Sequence, residues 1–68
     1  MKKDTLKSIN RIATDAKDSI LFLGYDRKYE WRLWGYLDAL YDNDIIDIKE
    51  HSKIRKHYRK YFRELRKI

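Results

Sequence analysis

Apolar residues recur at intervals of three and four along three segments of this chain, and this spacing is the feature that most restricts its fold. An α-helix turns every 3.6 residues, so each series forms one apolar stripe on an amphipathic helix. We therefore expect an all-α fold, a small antiparallel three-helix bundle with helices at about 5–23, 27–42 and 48–68. The stripes are Leu6, Ile9, Ala13, Ala16, Ile20 and Leu23; Tyr29, Leu33, Tyr36, Leu37 and Leu40, widened by Trp34 and Tyr41; and Ile54, Tyr58, Tyr61, Leu65 and Ile68.

Residues that favour helix ends flank the first two segments. Asp4 can serve as the N-cap of the first helix, and Gly24 stands where a residue in the left-handed region would end it. Asp26 can cap the second helix. These signals predict a short connection between the two helices, which makes them antiparallel neighbours.

The second connection carries the strongest local signal. Asp47 and Glu50 have the spacing of a capping box, and Ile46 is placed to act as a hydrophobic staple for the third helix. Residues 37–50 also resemble the helical hairpins of short C-terminal oligomerisation domains, in which a glycine is usual where Asp44 stands here. The resemblance implies a helix–turn–helix path and nothing about activity.

Length and composition narrow the range of functions. A chain of 68 residues is expected to form one helical domain, 1–68, with no room for a two-domain catalytic cleft. It has no cysteine, which excludes disulfides and thiolate chemistry and suits a reducing compartment. No apolar run approaches the roughly 20 residues that span a bilayer. We therefore expect a protein of the cytoplasm.

Catalytic and metal-binding patterns are missing. His51 and His57 project about 120° apart on one helix and cannot share a metal ion. The acidic stretch 42–50 lacks the glycine of a calcium loop, and Lys53 stands where that loop needs its bidentate glutamate. We predict no enzymatic activity, no catalytic residue, no metal and no cofactor.

The positive charge is concentrated in the last third of the chain. Residues 1–46 carry eight basic and eight acidic side chains, whereas residues 47–68 carry nine basic and three acidic ones, so the last third holds the whole net charge of +6. On a helical wheel, one uninterrupted arc from about 100° to about 260° from Ile54 holds eight basic residues. We call this set the basic arc: Lys53, Arg55, Lys56, Arg59, Lys60, Arg63, Arg66 and Lys67.

Like charges on adjacent helical turns repel, so a face with no interleaved acid is unfavourable unless it has a partner. We predict that the basic arc binds the phosphates of a nucleic acid. The arrangement resembles helix-turn-helix proteins in helix count, but the tight glycine turn and the Asn or Gln of base readers are missing, which favours backbone contacts. The alternatives are an acidic protein surface, a merely solvated face, and a face neutralised by acids of this or another chain, such as Asp15, Asp18, Asp38 or Asp42.

A second surface gives a rival prediction. On the second helix, Trp31 falls outside the apolar stripe, and Gly35 with Ala39 leaves a shallow groove beside it. Tryptophan and arginine are typical of binding hot spots. The interface predicted from this pattern consists of Trp31, Arg32, Gly35 and Ala39, with Phe62 as a flanking or stacking contact on the third helix. The chain would then be a small protein-binding module.

The composition suggests where such a module could originate. Many Lys, Ile, Tyr and Asp residues with no Pro or Cys are typical of AT-rich bacterial and phage genomes. The rival function is therefore a phage or mobile-element inhibitor or adaptor that acts on a host protein through Trp31 and the basic arc, in the host cytoplasm. Self-association into a homodimer through Gly35 and Ala39 is compatible with either function.

Overall fold

The computed structural model describes residues 2–68 and consists of three α-helices. Helix α1 spans Lys3–Leu23, α2 spans Arg27–Asp42 and α3 spans Ile48–Arg66. Short connections make consecutive helices antiparallel, so α1 and α3 run in the same direction. The predicted all-α bundle is confirmed, and residues 2–68 contain no strand. At the outer ends, α1 begins two residues earlier and α3 ends two residues earlier than predicted.

Two of the three expected signals at the first connection are confirmed. Gly24 has φ +91°, and its N–H donates to an α1 carbonyl one turn back, at 2.9 Å. The carboxylate of Asp26 accepts the N–H of Lys28 at 3.0 Å and caps α2. The predicted cap at Asp4 is wrong, because α1 begins before it, with Lys2 as an N-cap that makes no side-chain bond. Asp4 instead lies in the first turn, where its charge complements the helix dipole.

The capping box at the second connection is confirmed in both directions. The Glu50 N–H donates to the Asp47 carboxylate at 2.7 Å, and the Asp47 N–H donates to the Glu50 carboxylate at 3.1 Å. Ile46, just before the cap, is buried. Asp44 adopts φ +59°, the left-handed conformation that short polar residues tolerate best after glycine. The turn therefore forms without the glycine usual in such hairpins.

The core lies along the bundle axis and is shorter than the predicted apolar stripes. Leu6, Leu23 and Ile68 continue their stripes in sequence but are exposed, because each lies near the terminus of its helix, past the last layer of packing. Tyr41 is also exposed rather than part of the core. The buried apolar residues are Ile9, Ala13, Ala16, Ile20, Leu33, Leu37, Leu40, Ile46, Ile54, Tyr58, Phe62 and Leu65.

Phe62 corrects one predicted surface residue. It is 0% exposed, so it cannot flank an interface or stack on a base. Its ring makes T-shaped contacts with Trp34, 5.9 Å between centroids, and with Tyr61, 5.5 Å between centroids. On the wheel Phe62 lies about 80° from Ile54, just beyond the predicted stripe. Because α3 packs more closely against α2 than against α1, its buried arc is rotated toward Phe62.

Candidate nucleic-acid-binding face

All eight residues of the basic arc are exposed. Seven of them lie in α3 and Lys67 is its C-cap residue. The opposite side of α3 is held against the core by Ile54, Tyr58, Phe62 and Leu65, so the arc must face outward. From Lys53 to Lys67 the helix rises about 21 Å, which gives a straight cationic edge along a molecule 34 Å long.

Most of this charge has no carboxylate partner among residues 2–68. Within residues 2–68, Arg66 pairs with Glu30 and Lys67 pairs with Glu64 at 3.4 Å. Asp38, one of the acids considered as a neutraliser, instead accepts from His51 Nε2 at 2.8 Å. Six arc residues form no ion pair with any described carboxylate: Lys53, Arg55, Lys56, Arg59, Lys60 and Arg63.

Arg66 has a structural partner that the sequence pattern did not predict. Its Nη2 donates to both carboxylate oxygens of Glu30, at 2.7 and 2.8 Å, and its Nε donates to the Tyr25 hydroxyl at 3.1 Å. Glu30 is only 5% exposed, so this contact compensates a buried charge. The hydrogen bond to Glu30, followed by that to Tyr25, raises the pKa of Arg66 above its usual value. Arg66 is therefore the arc residue least free to bind a phosphate.

The unpaired arginines and lysines lie on different sides of the arc. Arginines line the side next to α2, around a polar cavity of about 240 Å³. The guanidinium of Arg55 lies over the Trp34 ring, 5.5 Å from its centroid. We call this cavity the arginine cleft, and its lining residues are Glu30, Trp34, Arg55, Arg59, Arg63 and Arg66. The lysines lie beyond it, where Lys56 and Lys60 share a second depression with Arg59 and Arg63.

The rival surface on α2 is also accessible. Trp31 is 61% exposed, and Arg32, Gly35 and Ala39 are exposed as well. A Cβ added at Gly35 would meet nothing within 4 Å, so the backbone is open to the outside there. These four residues form the aromatic groove. Phe62 does not belong to it.

Two residues of the arginine cleft were missed by the sequence pattern. Glu30 extends the α2 stripe one turn toward its N-terminus, since 30, 33, 37 and 40 follow intervals of three, four and three. An acid in an apolar stripe signals a buried carboxylate that needs a cation, and this signal was available. Trp34 was assigned to the core, but it is half-buried and also offers its ring to Arg55.

The histidines lie apart from the arginine cleft. His51 is half-buried, bound to Asp38 and 5.5 Å from the Tyr41 ring, while His57 is exposed beside Tyr58. Among residues 2–68, no three His, Cys, Asp or Glu side chains converge as a metal site would require. In that same part of the chain, no helix combines the length and apolarity needed to cross a membrane.

Comparisons with known proteins return no relative: no family model, no curated protein and no solved structure matches this chain. The chemistry of the basic arc and of the aromatic groove is therefore the basis for a functional assignment.

Proposed function

We propose that this chain is a non-catalytic accessory protein that binds nucleic acid through the basic arc of α3. The observation that carries the proposal is the set of six exposed cations without a carboxylate partner in residues 2–68. Their mutual repulsion costs a few tenths of a kcal/mol per like-charged pair. A phosphate backbone removes that repulsion, and the release of its condensed counterions drives the association.

The expected mode of binding is backbone contact with weak sequence selectivity. Helix α3 contains neither Asn nor Gln, the side chains that read adenine through paired hydrogen bonds. Arginine can read guanine, but it binds phosphate with the same fork. Contacts to phosphate fix the position of a protein on nucleic acid without conveying sequence. The cytoplasm is the compartment expected for this activity.

A charge-reversal pair tests the proposal. Lys60→Glu with Arg63→Glu changes the net charge by −4 at the centre of the arc, and both side chains are exposed. The matched control, Lys7→Glu with Arg11→Glu, makes the same change on exposed residues of α1. We expect the α3 pair to lower the affinity for a labelled oligonucleotide by about 100-fold or more at low salt, because phosphate contacts dominate such binding.

The α1 double variant should lose much less affinity for the oligonucleotide. Circular dichroism should show that both double variants are folded. Equal losses of affinity in the two variants would mean that binding depends on the net charge of the protein and not on the position of the basic arc. Unchanged affinity in the α3 variant would exclude the basic arc as the binding face.

A protein-binding module remains the second proposal, and the openness of the aromatic groove favours it. An indole left 61% exposed next to an open glycine offers the kind of surface that another protein can cover. In this case the partner would be a host protein and the chain a phage or mobile-element inhibitor or adaptor. Trp31→Ala should then abolish the interaction, while charge reversal on α3 should mainly slow association.

A further inference from the structure

We infer that the arginine cleft between α2 and α3 is a discrete subsite for one phosphate group of the nucleic-acid backbone, held by the guanidinium groups of Arg59 and Arg63. The inference rests on the proposed function and divides the basic arc into two parts. The arginine side would bind one phosphate with directed hydrogen bonds. The lysine side would contribute charge without fixed geometry.

The charge balance inside the cleft favours an anion. Four arginines and one carboxylate line the cavity, and the carboxylate of Glu30 is already bound at both oxygens by Arg66. Its charge is therefore largely compensated, so Glu30 repels an incoming anion only weakly. Arg55, Arg59 and Arg63 remain, and none of them has a carboxylate partner in the described part of the chain.

The arginines at the two ends of the cleft are held in place by other side chains. Arg66 is held by the bonds from its Nη2 to buried Glu30 and from its Nε to the Tyr25 hydroxyl, and the ring of Trp34 supports Arg55 at 5.5 Å. A guanidinium stacked on an aromatic face keeps the N–H groups at its edge free to donate. The side chains of Arg55 and Arg66 are therefore already ordered before a ligand binds, which reduces the conformational entropy lost on binding.

The two cations at the centre of the cleft are both arginines. Arg59 and Arg63 are four residues apart, so their side chains lie one above the other along the edge of the cavity. Two planar guanidinium groups can donate together to the several oxygens of one phosphate, which a lysine ammonium cannot reproduce. Lys56 and Lys60 have the same spacing but line only the outer depression.

Charge-conserving exchanges separate the two parts of the arc. Arg59→Lys with Arg63→Lys keeps the net charge of +6 and the helix propensity but removes both guanidinium groups from the cleft. The matched control is Lys56→Arg with Lys60→Arg. We expect the arginine-to-lysine variant to lose about tenfold or more in oligonucleotide affinity with an unchanged salt dependence, because the charge is kept and only directed bonds are lost. The control should stay within about twofold.

A second measurement uses inorganic phosphate as the probe and does not depend on nucleic acid. In the unsubstituted protein, phosphate should produce saturable shifts of the Arg59 and Arg63 Nε–H signals in NMR spectra, while those of Arg11 and Arg32 should follow ionic strength alone. Uniform, unsaturable shifts of all arginines would overturn the inference. So would oligonucleotide binding by the arginine-to-lysine variant equal to that of the unsubstituted protein, an outcome that leaves the proposed function intact. If the unsubstituted protein binds no oligonucleotide at low salt, the proposed function fails and this inference with it.

Discussion

Replacing Phe62 with leucine should destabilise the fold while leaving all eight cations of the basic arc in place. Phe62 is fully buried, and its ring makes edge contacts with Trp34 and Tyr61. Aromatic pairs of this kind contribute about 0.5–1.5 kcal/mol each beyond the area that they bury. A change of shape in a packed core adds up to about 1.5 kcal/mol. We therefore expect Phe62→Leu to lower the free energy of unfolding by about 2–3 kcal/mol.

That loss is large for so small a domain. At roughly 0.05–0.15 kcal/mol per residue, 68 residues give a total stability of about 3–10 kcal/mol. An unfolding entropy of about 2.1 cal/mol/K per residue converts each kcal/mol into a fall of about 7 °C in the melting temperature. The expected fall for Phe62→Leu is therefore about 14–21 °C.

The assay is thermal unfolding followed by circular dichroism, with Trp31→Ala as the comparison. Trp31 is 61% exposed, so its removal should change stability by no more than about 0.5 kcal/mol. At a temperature where both variants are folded, Phe62→Leu should lose affinity for an oligonucleotide only as far as Trp34 shifts, since the ring of Phe62 packs against Trp34 beneath the arginine cleft. A stability loss below about 0.5 kcal/mol would refute the assignment of Phe62 to the core.

Three further changes test other parts of the structure. Gly35→Ala should raise stability by about 0.5–1 kcal/mol in thermal melts, because an added Cβ meets nothing within 4 Å, and a lower melting temperature would contradict the open groove. Asp47→Ala should lower stability by about 1 kcal/mol through loss of the α3 cap, and an unchanged melt would mean that the cap contributes nothing. Burial raises the pKa of Tyr58. The pKa of Tyr61 is raised by burial and, to a smaller extent, by the charges of Tyr58 and Asp18. Both phenols therefore have a folded-state pKa above the unfolded value of about 10. The contribution of the two phenols to stability is complete below about pH 10 and is lost as the pH rises through their folded-state pKa values. Urea unfolding should therefore show a free energy of unfolding that declines above about pH 10. The decline should be smaller in the Tyr58→Phe, Tyr61→Phe double variant. Stability that is constant across this range would contradict the burial of these phenols.

The helices and their junctions could be predicted from sequence because the signals there are local. The capping box at Asp47 and Glu50, the left-handed Gly24 and the cap at Asp26 each depend on residues within one turn. The predicted N-cap at Asp4 was wrong because capping also depends on where the helix begins, and α1 begins before Asp4. A helix start with no side-chain cap leaves no signal in the sequence.

The features that sequence reasoning missed depend on how the helices turn toward one another. A wheel drawn for α3 alone cannot show that this helix faces α2 closely enough to bury Phe62. It also cannot show that Glu30, in the first turn of α2, meets Arg66 in the last turn of α3. The same rotation brings Arg55 over Trp34 and so creates the arginine cleft, which no single helix contains.

The central claim is that the unpaired cations of α3 bind a phosphate backbone, and the salt dependence of binding tests it most directly. Fluorescence anisotropy of labelled duplex and single-stranded oligonucleotides should be measured over a series of salt concentrations. Each phosphate neutralised on duplex DNA contributes about −0.9 to the slope of log affinity against log salt. The six cations without a carboxylate partner in residues 2–68 therefore allow a slope no steeper than about −5. We predict a slope of about −3 to −5. No binding at low salt, or a slope near zero, would contradict the account and direct attention to the aromatic groove.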